Sequence, residues 1–148
     1  MPGRLGDRGT AMAMPDYKNY DDNNIFAMIL RGDIPNKTVY EDDHALAFHD
    51  INPQAPVHVL VIPKGKYISM ADFTANASDE EIVGFFRAVG KTAEILDLPD
   101  PGYRILANHG PHSHQEVPHL HVHIFGGKHV GPLLMKGWEG KIQMPGMD

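Results

Sequence analysis

The segment that decides the fold of this chain is residues 117–127, VPHLHVHIFGG. Its three histidines, His119, His121 and His123, alternate with apolar residues, and two glycines end the run. Successive side chains of a β-strand point to opposite faces of the sheet, so the histidines share one face and the apolar residues share the other. The alternation predicts a strand with one face on the core and a row of imidazoles on the other.

A row of imidazoles on one strand has three possible explanations. It can be the polar, solvent-facing side of a half-buried strand. It can bind zinc, for which imidazole is a common ligand. Three histidines on one strand are too far apart to meet one ion comfortably, so a zinc site would need a further ligand from elsewhere in the chain. It can also perform nucleophilic catalysis, because a neutral imidazole attacks an electrophile while its neighbours fix its tautomer and stabilise charge. Further histidines that could serve a metal stand nearby at His109, His112, His114 and His129.

Three other segments are predicted to be strands. Residues 37–50, KTVYEDDHALAFHD, read as two strands around a turn at Asp42 and Asp43. Residues 57–64, VHVLVIPK, are apolar on both faces, which is typical of a central strand. Residues 101–108, PGYRILAN, form another short strand before a polar loop. Strands that follow one another through short turns favour an antiparallel sheet, and with two covering helices the class is an α+β layer fold.

The first of the two predicted helices is short. Residues 22–35, DNNIFAMILRGDIP, offer Asp22 or Asn23 as the N-cap, with Gly32 and Pro35 at the end.

The second predicted helix is longer and covers residues 78–96, SDEEIVGFFRAVGKTAEIL. Ser78 and Glu81 have the spacing of a capping box. Apolar residues that recur at helical intervals are expected to face the sheet: Ile82, Phe85, Phe86, Val89, Ala93 and Leu96.

Length and composition narrow the class of protein. The 148 residues suffice for one domain, predicted at 21–130 between a flexible N-terminal tail at 1–20 and a C-terminal tail at 131–148 that carries Trp138. The 13 basic against 19 acidic residues include no basic run, which argues against a nucleic acid polymer as partner. The chain has no cysteine, no apolar run of membrane-spanning length and no apolar leader, so we expect a cytoplasmic protein without a membrane partner.

The histidine segment resembles a known family. HLHVHIF matches His-φ-His-φ-His-φ-φ, the signature of the histidine-triad superfamily of nucleotide hydrolases and transferases. Four stretches, IFAMILRGDIP, VYEDDHALAFHDINPQAPVHVLVIPK, GYRILANHG and the final GG, resemble the Hint branch in order, from about Ile25 to Gly127. The resemblance implies a HIT-like fold, with a sheet of about five antiparallel strands and two helices. It also implies a homodimer in which two sheets join into one.

The same resemblance implies a purine nucleoside phosphoramidase-like activity on AMP-type phosphoramidates. His121 would attack the α-phosphorus and form a covalent nucleotidyl-imidazole, which water then hydrolyses. His119 would orient the nucleophile, chiefly through its backbone carbonyl. His123 would donate a hydrogen bond to a phosphate oxygen, and His58 would complete the histidine network from the neighbouring strand.

The substrate-binding residues implied by the resemblance divide into two groups. Around the nucleoside they are Phe26, Phe48, His49, Asp50 and Ile51, and around the phosphate they are Asn108, His114, Gln115, Glu116 and Val117. Core packing is an equally good explanation for the aromatic residues, and turn formation before Asn52 and Pro53 is one for Asp50. Glu116 stands where the family commonly has serine, and a carboxylate there would repel a phosphate unless it points away or serves the leaving group.

The expected ligand is a purine nucleotide or nucleoside phosphoramidate. No cofactor is expected to be required, and zinc could bind the histidines adventitiously. Two alternatives remain open at this point. One is a dinucleoside polyphosphate hydrolase like those of the Fhit-like branch, and the other is a nucleotide-binding scaffold protein whose hydrolysis is incidental.

Overall fold

The structure, a computed structural model, describes residues 14–134, and residues 1–13 and 135–148, including Trp138, lie outside the described part. Its centre is one five-stranded sheet in which every neighbouring pair is antiparallel. The strands are β1 (Thr38–Glu41), β2 (Ala45–His49), β3 (Val57–Pro63), β4 (Arg104–Leu106) and β5 (Val122–Gly126). Their order in space is β1-β2-β3-β5-β4, so the apolar strand β3 is central, as predicted.

The first helix, α1 (Ile25–Arg31), begins one residue later than a cap at Asn23 would place its start. Asn24 is the N-cap, and its side-chain oxygen accepts hydrogen bonds from the backbone N–H groups of Phe26 and Ala27 at 3.0 and 2.9 Å. The prediction of Asp22 or Asn23 was therefore wrong, because only Asn24 stands at the distance from which a side chain reaches those two N–H groups. The helix ends, as predicted, at Gly32, whose φ of 83° is left-handed.

A second short helix, α2 (Met70–Asn76), was not predicted and raises the number of helices in the described residues from two to three. Ser69 caps it by accepting from the N–H of Asp72, and Phe73 is fully buried beneath it. The spacing of Ser69 and Asp72 is the signal that sequence reasoning passed over. None of the helices within residues 14–134 has the length and hydropathy needed to span a membrane.

The third helix, α3 (Asp79–Ile95), carries the predicted capping box of Ser78 and Glu81 and covers one face of the sheet. Phe86, which was expected to face the sheet, is 41% exposed because the buried stripe of the helix runs through Phe85 and Val89 instead. The core between helix and sheet consists mainly of Ala45, Ala47, Val59, Val61, Phe73, Phe85, Ala88, Val89, Leu120, Val122 and Ile124.

Two glycines in α3 differ in what surrounds them, and we expect alanine to have opposite effects at the two positions. A methyl group at Gly84 would overlap the imidazole ring of His44 in the β1–β2 turn, whereas Gly90 has no heavy atom within 4 Å of the same position. Gly84→Ala should therefore lower the free energy of unfolding by roughly 1–3 kcal/mol. Gly90→Ala, the matched control, should raise it by about 0.5–1 kcal/mol because alanine favours the helix. Urea unfolding of both variants measures the difference, and equal effects would contradict the packing of His44 against α3.

The opposite face of the sheet is only partly covered. Helix α1 packs there on a second apolar cluster composed of Phe26, Leu46, Phe48, Leu60 and Ile62. The histidines lie on this same face, where Phe26 of α1 packs against the rings of His119 and His121.

Candidate active site

The three alternating histidines lie on the face opposite α3, although only the third belongs to a strand. The predicted strand at 117–127 is shorter in the structure, because β5 begins at Val122. His119 and His121 lie in the segment before it, where the Leu120 N–H donates to the carbonyl of Tyr67 at 2.7 Å instead of joining the sheet. Leu120 and Val122 still point into the α3 core, so the faces alternate as predicted.

Among the residues that the structure describes, the ring of His121 makes one hydrogen bond, and that bond fixes its tautomer. Nδ1 lies 2.7 Å from the backbone carbonyl of His119. A carbonyl can only accept, so Nδ1 carries the proton and Nε2 keeps a free lone pair. The ring is 7% exposed, with the edge of Phe26 against it at a centroid distance of 4.9 Å. His121 is thus presented as a neutral imidazole whose unprotonated nitrogen is free to attack.

The rings of His58 and His123 form a second hydrogen-bonded pair. The backbone N–H of Gln54 donates to His58 Nδ1 at 3.1 Å, so the proton of His58 is on Nε2. This Nε2–H donates to His123 Nδ1 at 3.0 Å, which places the proton of His123 on its own Nε2. That Nε2 is buried and has no hydrogen-bond partner among the described residues. A buried donor without an acceptor is costly, so this N–H is suited to an acceptor that a ligand brings.

His119 has both ring nitrogens engaged, so its ring takes no part in proton transfer. Its Nε2–H donates to the carbonyl of Pro63 at 2.9 Å, and its Nδ1 accepts from the hydroxyl of Tyr20 at 2.6 Å. The side chain is completely buried. What His119 offers the site is its backbone carbonyl, as the resemblance implied. Tyr20 was missed, because a tyrosine in a polar segment carries no sequence signal for a contact 99 residues away.

Burial keeps the four rings neutral near pH 7. It lowers the pKa of His119 to about 4 and, with the charges of His121 and His58 adding to it, the pKa of His123 to about 4. Burial also lowers the pKa of His58 and of His121. For His121 the carbonyl of His119 and the carboxylates of Asp50 and Glu116 oppose the shift. Repulsion between charged imidazoles is therefore absent from the row at neutral pH.

The depressed pKa of His119 predicts that the protein loses stability in mild acid. The folded ring has a pKa of about 4 against an ordinary value of 6.5, so between these values the unfolded chain binds more protons. This contribution, up to about 3 kcal/mol, is complete above pH 6.5 and is lost as the pH falls toward 4. Urea unfolding from pH 7 to 4 measures it. His119→Gln, which cannot titrate, should show a weaker pH dependence in this window, and an equal one would contradict the assignment.

One cluster has the geometry of a metal site, but its hydrogen bonds do not suit an ion. Potential ligand atoms of Asp50, His58 and His123 lie within 4.8 Å of one another. The N–H of Gln54 requires the lone pair of His58 at Nδ1, so the His58 nitrogen that faces the cluster carries a proton. An ion would have to displace that proton and break the contact with Gln54. A cation bound there would therefore compete with the hydrogen bonds of His58.

Three of the residues predicted to bind the nucleoside, His49, Asp50 and Ile51, lie at the end of β2, beside the histidines. The backbone N–H of Asp50 donates to the carbonyl of His58 at 3.0 Å, and its Oδ1 accepts from the N–H of Asn52 at 2.8 Å. The turn role that competed for Asp50 is thus present, and its Oδ2 lies 3.5 Å from His58 Nε2. Ile51 is 86% exposed, and His49 is exposed at the end of the strand. Such an exposed apolar side chain is available to a ligand.

The two aromatic residues proposed for the base are buried. Phe26 and Phe48 pack edge to face at 5.7 Å within the second apolar cluster, and each retains little exposure. The structure thus shows them packing in the core, with Phe26 also supporting the His121 ring.

The loop before the histidines is held by three hydrogen bonds of the Gln115 side chain. Its Oε1 accepts from the N–H of Gly110 at 2.9 Å, and its Nε2 donates to the carbonyls of Ile68 and Val117 at 2.7 and 3.1 Å. Gln115 is 2% exposed. Both of its amide protons are used by the carbonyls of Ile68 and Val117, so its side chain holds the loop in shape.

Glu116 and His114 form an exposed pair at the edge of the site. Their side chains meet at 3.0 Å with 75% and 86% of their surface exposed. The Glu116 carboxylate therefore stands in solvent with a partner that offsets its charge when protonated. Asn108 is half-buried two residues after Leu106, whose Cα partner in β5 is His123, so it lies next to the row.

Residues 31–130 of the chain match a family model that is described as the HIT domain. The chain belongs to the HIT family. An uncharacterized 13.2 kDa HIT-like protein of Azospirillum brasilense is 61% identical over 120 residues, which are 81% of this chain and 98% of that protein. The purine nucleoside phosphoramidase of Escherichia coli is 40% identical over 114 residues, 76% of this chain and 94% of that enzyme. The solved structure of a HIT family hydrolase from Clostridium thermocellum superposes with a TM-score of 0.70 at 37% identity, covering 78% of this HIT protein and 99% of that chain.

Proposed function

We propose that this HIT protein hydrolyses the P–N bond of purine nucleoside 5′-phosphoramidates through a covalent nucleotidyl intermediate on His121. Its similarity to a purine nucleoside phosphoramidase supports the substrate class. Within the described residues, one structural observation carries the chemistry: of the nitrogens in these four rings, only His121 Nε2 is unprotonated and free of a hydrogen bond, and the His123 ring lies 5.0 Å away with its N–H unpaired.

The proposed reaction has two displacements at phosphorus. First, His121 Nε2 attacks the α-phosphorus, the P–N bond breaks, and the amine leaves after taking a proton from solvent or a substrate group. The ring becomes cationic, and its Nδ1–H bond to the carbonyl of His119 stabilises that charge. Water then attacks the same phosphorus, the bond to Nε2 breaks, and one proton is released. The nucleotide leaves and the neutral ring is restored.

His123 would stabilise the charge that grows on the phosphoryl oxygens. Its Nε2–H is buried, already oriented through His58, and lacks an acceptor among the described residues. A donor placed in advance acts without reorganisation when the charge develops.

For the nucleoside we propose contacts to Asp50 and Ile51. The carboxylate of Asp50 keeps acceptor capacity for ribose hydroxyls beside its turn hydrogen bond, and Ile51 offers an exposed apolar surface to the base. Glu116, which is paired with His114 and exposed to solvent, would face the leaving group, where solvent and His114 weaken the repulsion between its carboxylate and the phosphate.

Turnover of adenosine 5′-monophosphoramidate by protein treated with a chelator tests the proposal. We expect release of AMP without added metal, and faster turnover than with diadenosine triphosphate. Activity that appears only after zinc is restored would overturn the metal-independent mechanism. A preference for the dinucleotide would overturn the substrate class while keeping the nucleophile.

We also propose that the protein is a homodimer joined at β4. Within residues 14–134 this edge strand is paired on one side only, and Ile105 and Leu106 in it, Tyr103 before it and Phe86 of α3 are exposed. Pairing of the same edge of two chains would bury these side chains and continue the sheet. Light scattering should give twice the chain mass, and Ile105→Glu should shift it to the mass of one chain. A monomeric mass for the unmodified protein would contradict the dimer.

A further inference from the structure

Residues 16–20, which the sequence assigned to a tail, lie against the site; we refer to them as the strap. Asp16 closes a turn in the strap by accepting from the N–H groups of Lys18 and Asn19 at 2.8 and 3.0 Å. Tyr17, within that turn, reaches the loop before the histidines, and Tyr20, which follows the turn, reaches His119. The strap is thus ordered by its own turn and attached at two points.

The attachment through Tyr20 ends on the ring of His119. The hydroxyl donates to His119 Nδ1 at 2.6 Å, and the two rings meet edge to face at 5.6 Å. The Nδ1 must accept, because the proton of the ring is held at Nε2 by the carbonyl of Pro63 at 2.9 Å. His119 is therefore fixed from both sides, by a strand carbonyl on one and by the strap on the other.

Fixing His119 also fixes the group that orients the nucleophile. The backbone carbonyl of His119 accepts from His121 Nδ1 at 2.7 Å and so determines both the tautomer and the direction of the reactive lone pair. A rotation of His119 about its backbone would move this carbonyl. Catalytic geometry tolerates little displacement, so a contact that holds His119 acts on the rate although it does not touch the substrate.

The attachment through Tyr17 ends on the loop beside the row. Its hydroxyl donates to the backbone carbonyl of Gln115 at 2.7 Å, while the side chain of Gln115 holds the loop from within. The strap thereby reaches both the loop and the histidine segment that follows it.

From this geometry we infer that the strap is a positioning element of the active site, with Tyr20 holding the His119 carbonyl against His121 and Tyr17 anchoring the adjoining loop. The inference rests on the proposed function for its kinetic consequence. Its structural consequence, the state of the two imidazoles, does not depend on any substrate.

Tyr20→Phe tests the inference because it removes one hydroxyl and keeps the ring. We expect kcat to fall roughly three- to tenfold with KM nearly unchanged, as befits a lost hydrogen bond that only positions the nucleophile. In nitrogen-15 spectra of the ligand-free protein, His119 Nδ1 should move toward the resonance of an unbonded lone pair, and the His121 Nδ1 proton should exchange faster with water.

The control is Tyr40→Phe, which also removes one tyrosine hydroxyl. Tyr40 packs against the α3 core, and its hydroxyl donates to Asp42 at 2.9 Å. Neither kcat nor the imidazole resonances should change in it. A second variant, Asp16→Ala, loosens the turn and keeps both tyrosines. It should change kcat and the imidazole resonances in the same direction as Tyr20→Phe, and it replaces Tyr20→Phe as the test if the latter does not fold.

The outcomes separate the inference from the function on which it rests. Unchanged kcat and unchanged His121 exchange in folded Tyr20→Phe would overturn the positioning role. If the wild type does not hydrolyse phosphoramidates, the proposed function fails. The nitrogen-15 spectra of Tyr20→Phe then test the positioning role of the strap separately. Shifts at His119 and His121 would support that role, and their absence would overturn it.

Discussion

His121→Ala is expected to lower kcat for a nucleoside phosphoramidate by roughly 10⁴-fold or more. The nitrogens of the other three imidazoles in the site are each hydrogen-bonded or protonated, so none of them replaces the lost lone pair. Binding of AMP should persist within a fewfold, because the groups proposed for the nucleoside and phosphate are still present. Single-turnover kinetics and calorimetric titration with AMP measure the two quantities separately.

Mass spectrometry of wild-type enzyme denatured during turnover at alkaline pH, which preserves the acid-labile P–N bond of the adduct, provides the direct companion measurement. A nucleotidyl adduct should be found on the peptide that contains His121 and should be absent from the variant. His129→Ala is the matched control, since this histidine is exposed beyond β5 and should leave kcat unchanged. A variant at 121 that retained a tenth of the wild-type rate would show that another group attacks the phosphorus.

The second large effect is expected from His123→Ala, with kcat lowered by roughly 10²–10³-fold. Its Nε2–H is the buried donor that lacks a partner in residues 14–134, so the acceptor that completes it is expected to be the reacting phosphoryl group. The contact strengthens as negative charge develops, which places the loss mainly in kcat and less in KM. Steady-state kinetics on the phosphoramidate measure both parameters.

His58→Phe is the comparison that tests the tautomer argument. His58 keeps the proton of His123 on Nε2 by donating to Nδ1 at 3.0 Å, and it has no predicted contact with the phosphate. Its loss leaves His123 free to adopt the other tautomer, which should cost about tenfold, less than the loss of His123 itself. A wild-type rate in His123→Ala, or a larger loss in His58→Phe than in His123→Ala, would contradict the proposed division of roles.

Local patterns in the sequence predicted much of the fold. The alternation in 117–127 correctly assigned the two faces, because the period of two in an extended chain holds even where the ladder has not yet begun. The Ser78 and Glu81 capping box and the Gly32 stop were confirmed because each depends on neighbours within a few residues. Helix α2 was missed although its cap, Ser69, follows the same local rule.

The chemistry of the site was less accessible. The polar side chain of Gln115 suggested a ligand contact, and in the structure it is hydrogen-bonded to Gly110, Ile68 and Val117. The ring of His119 is likewise occupied at both nitrogens. Whether a polar side chain has a free donor or acceptor depends on partners far away in sequence, and no local pattern records them.

The sequence alone determined that three imidazoles lie together, since at a spacing of two they share one side of any extended segment. Only the tertiary structure decided which nitrogen of each ring holds the proton. That choice is made by three backbone groups, the carbonyls of His119 and Pro63 and the N–H of Gln54. Folding brings the Pro63 carbonyl to the distant ring of His119, and the turn before β3 brings the Gln54 N–H to the ring of His58. The physical reason is that a tautomer depends on the geometry of its hydrogen-bond partners, and those partners meet the rings only in the folded chain.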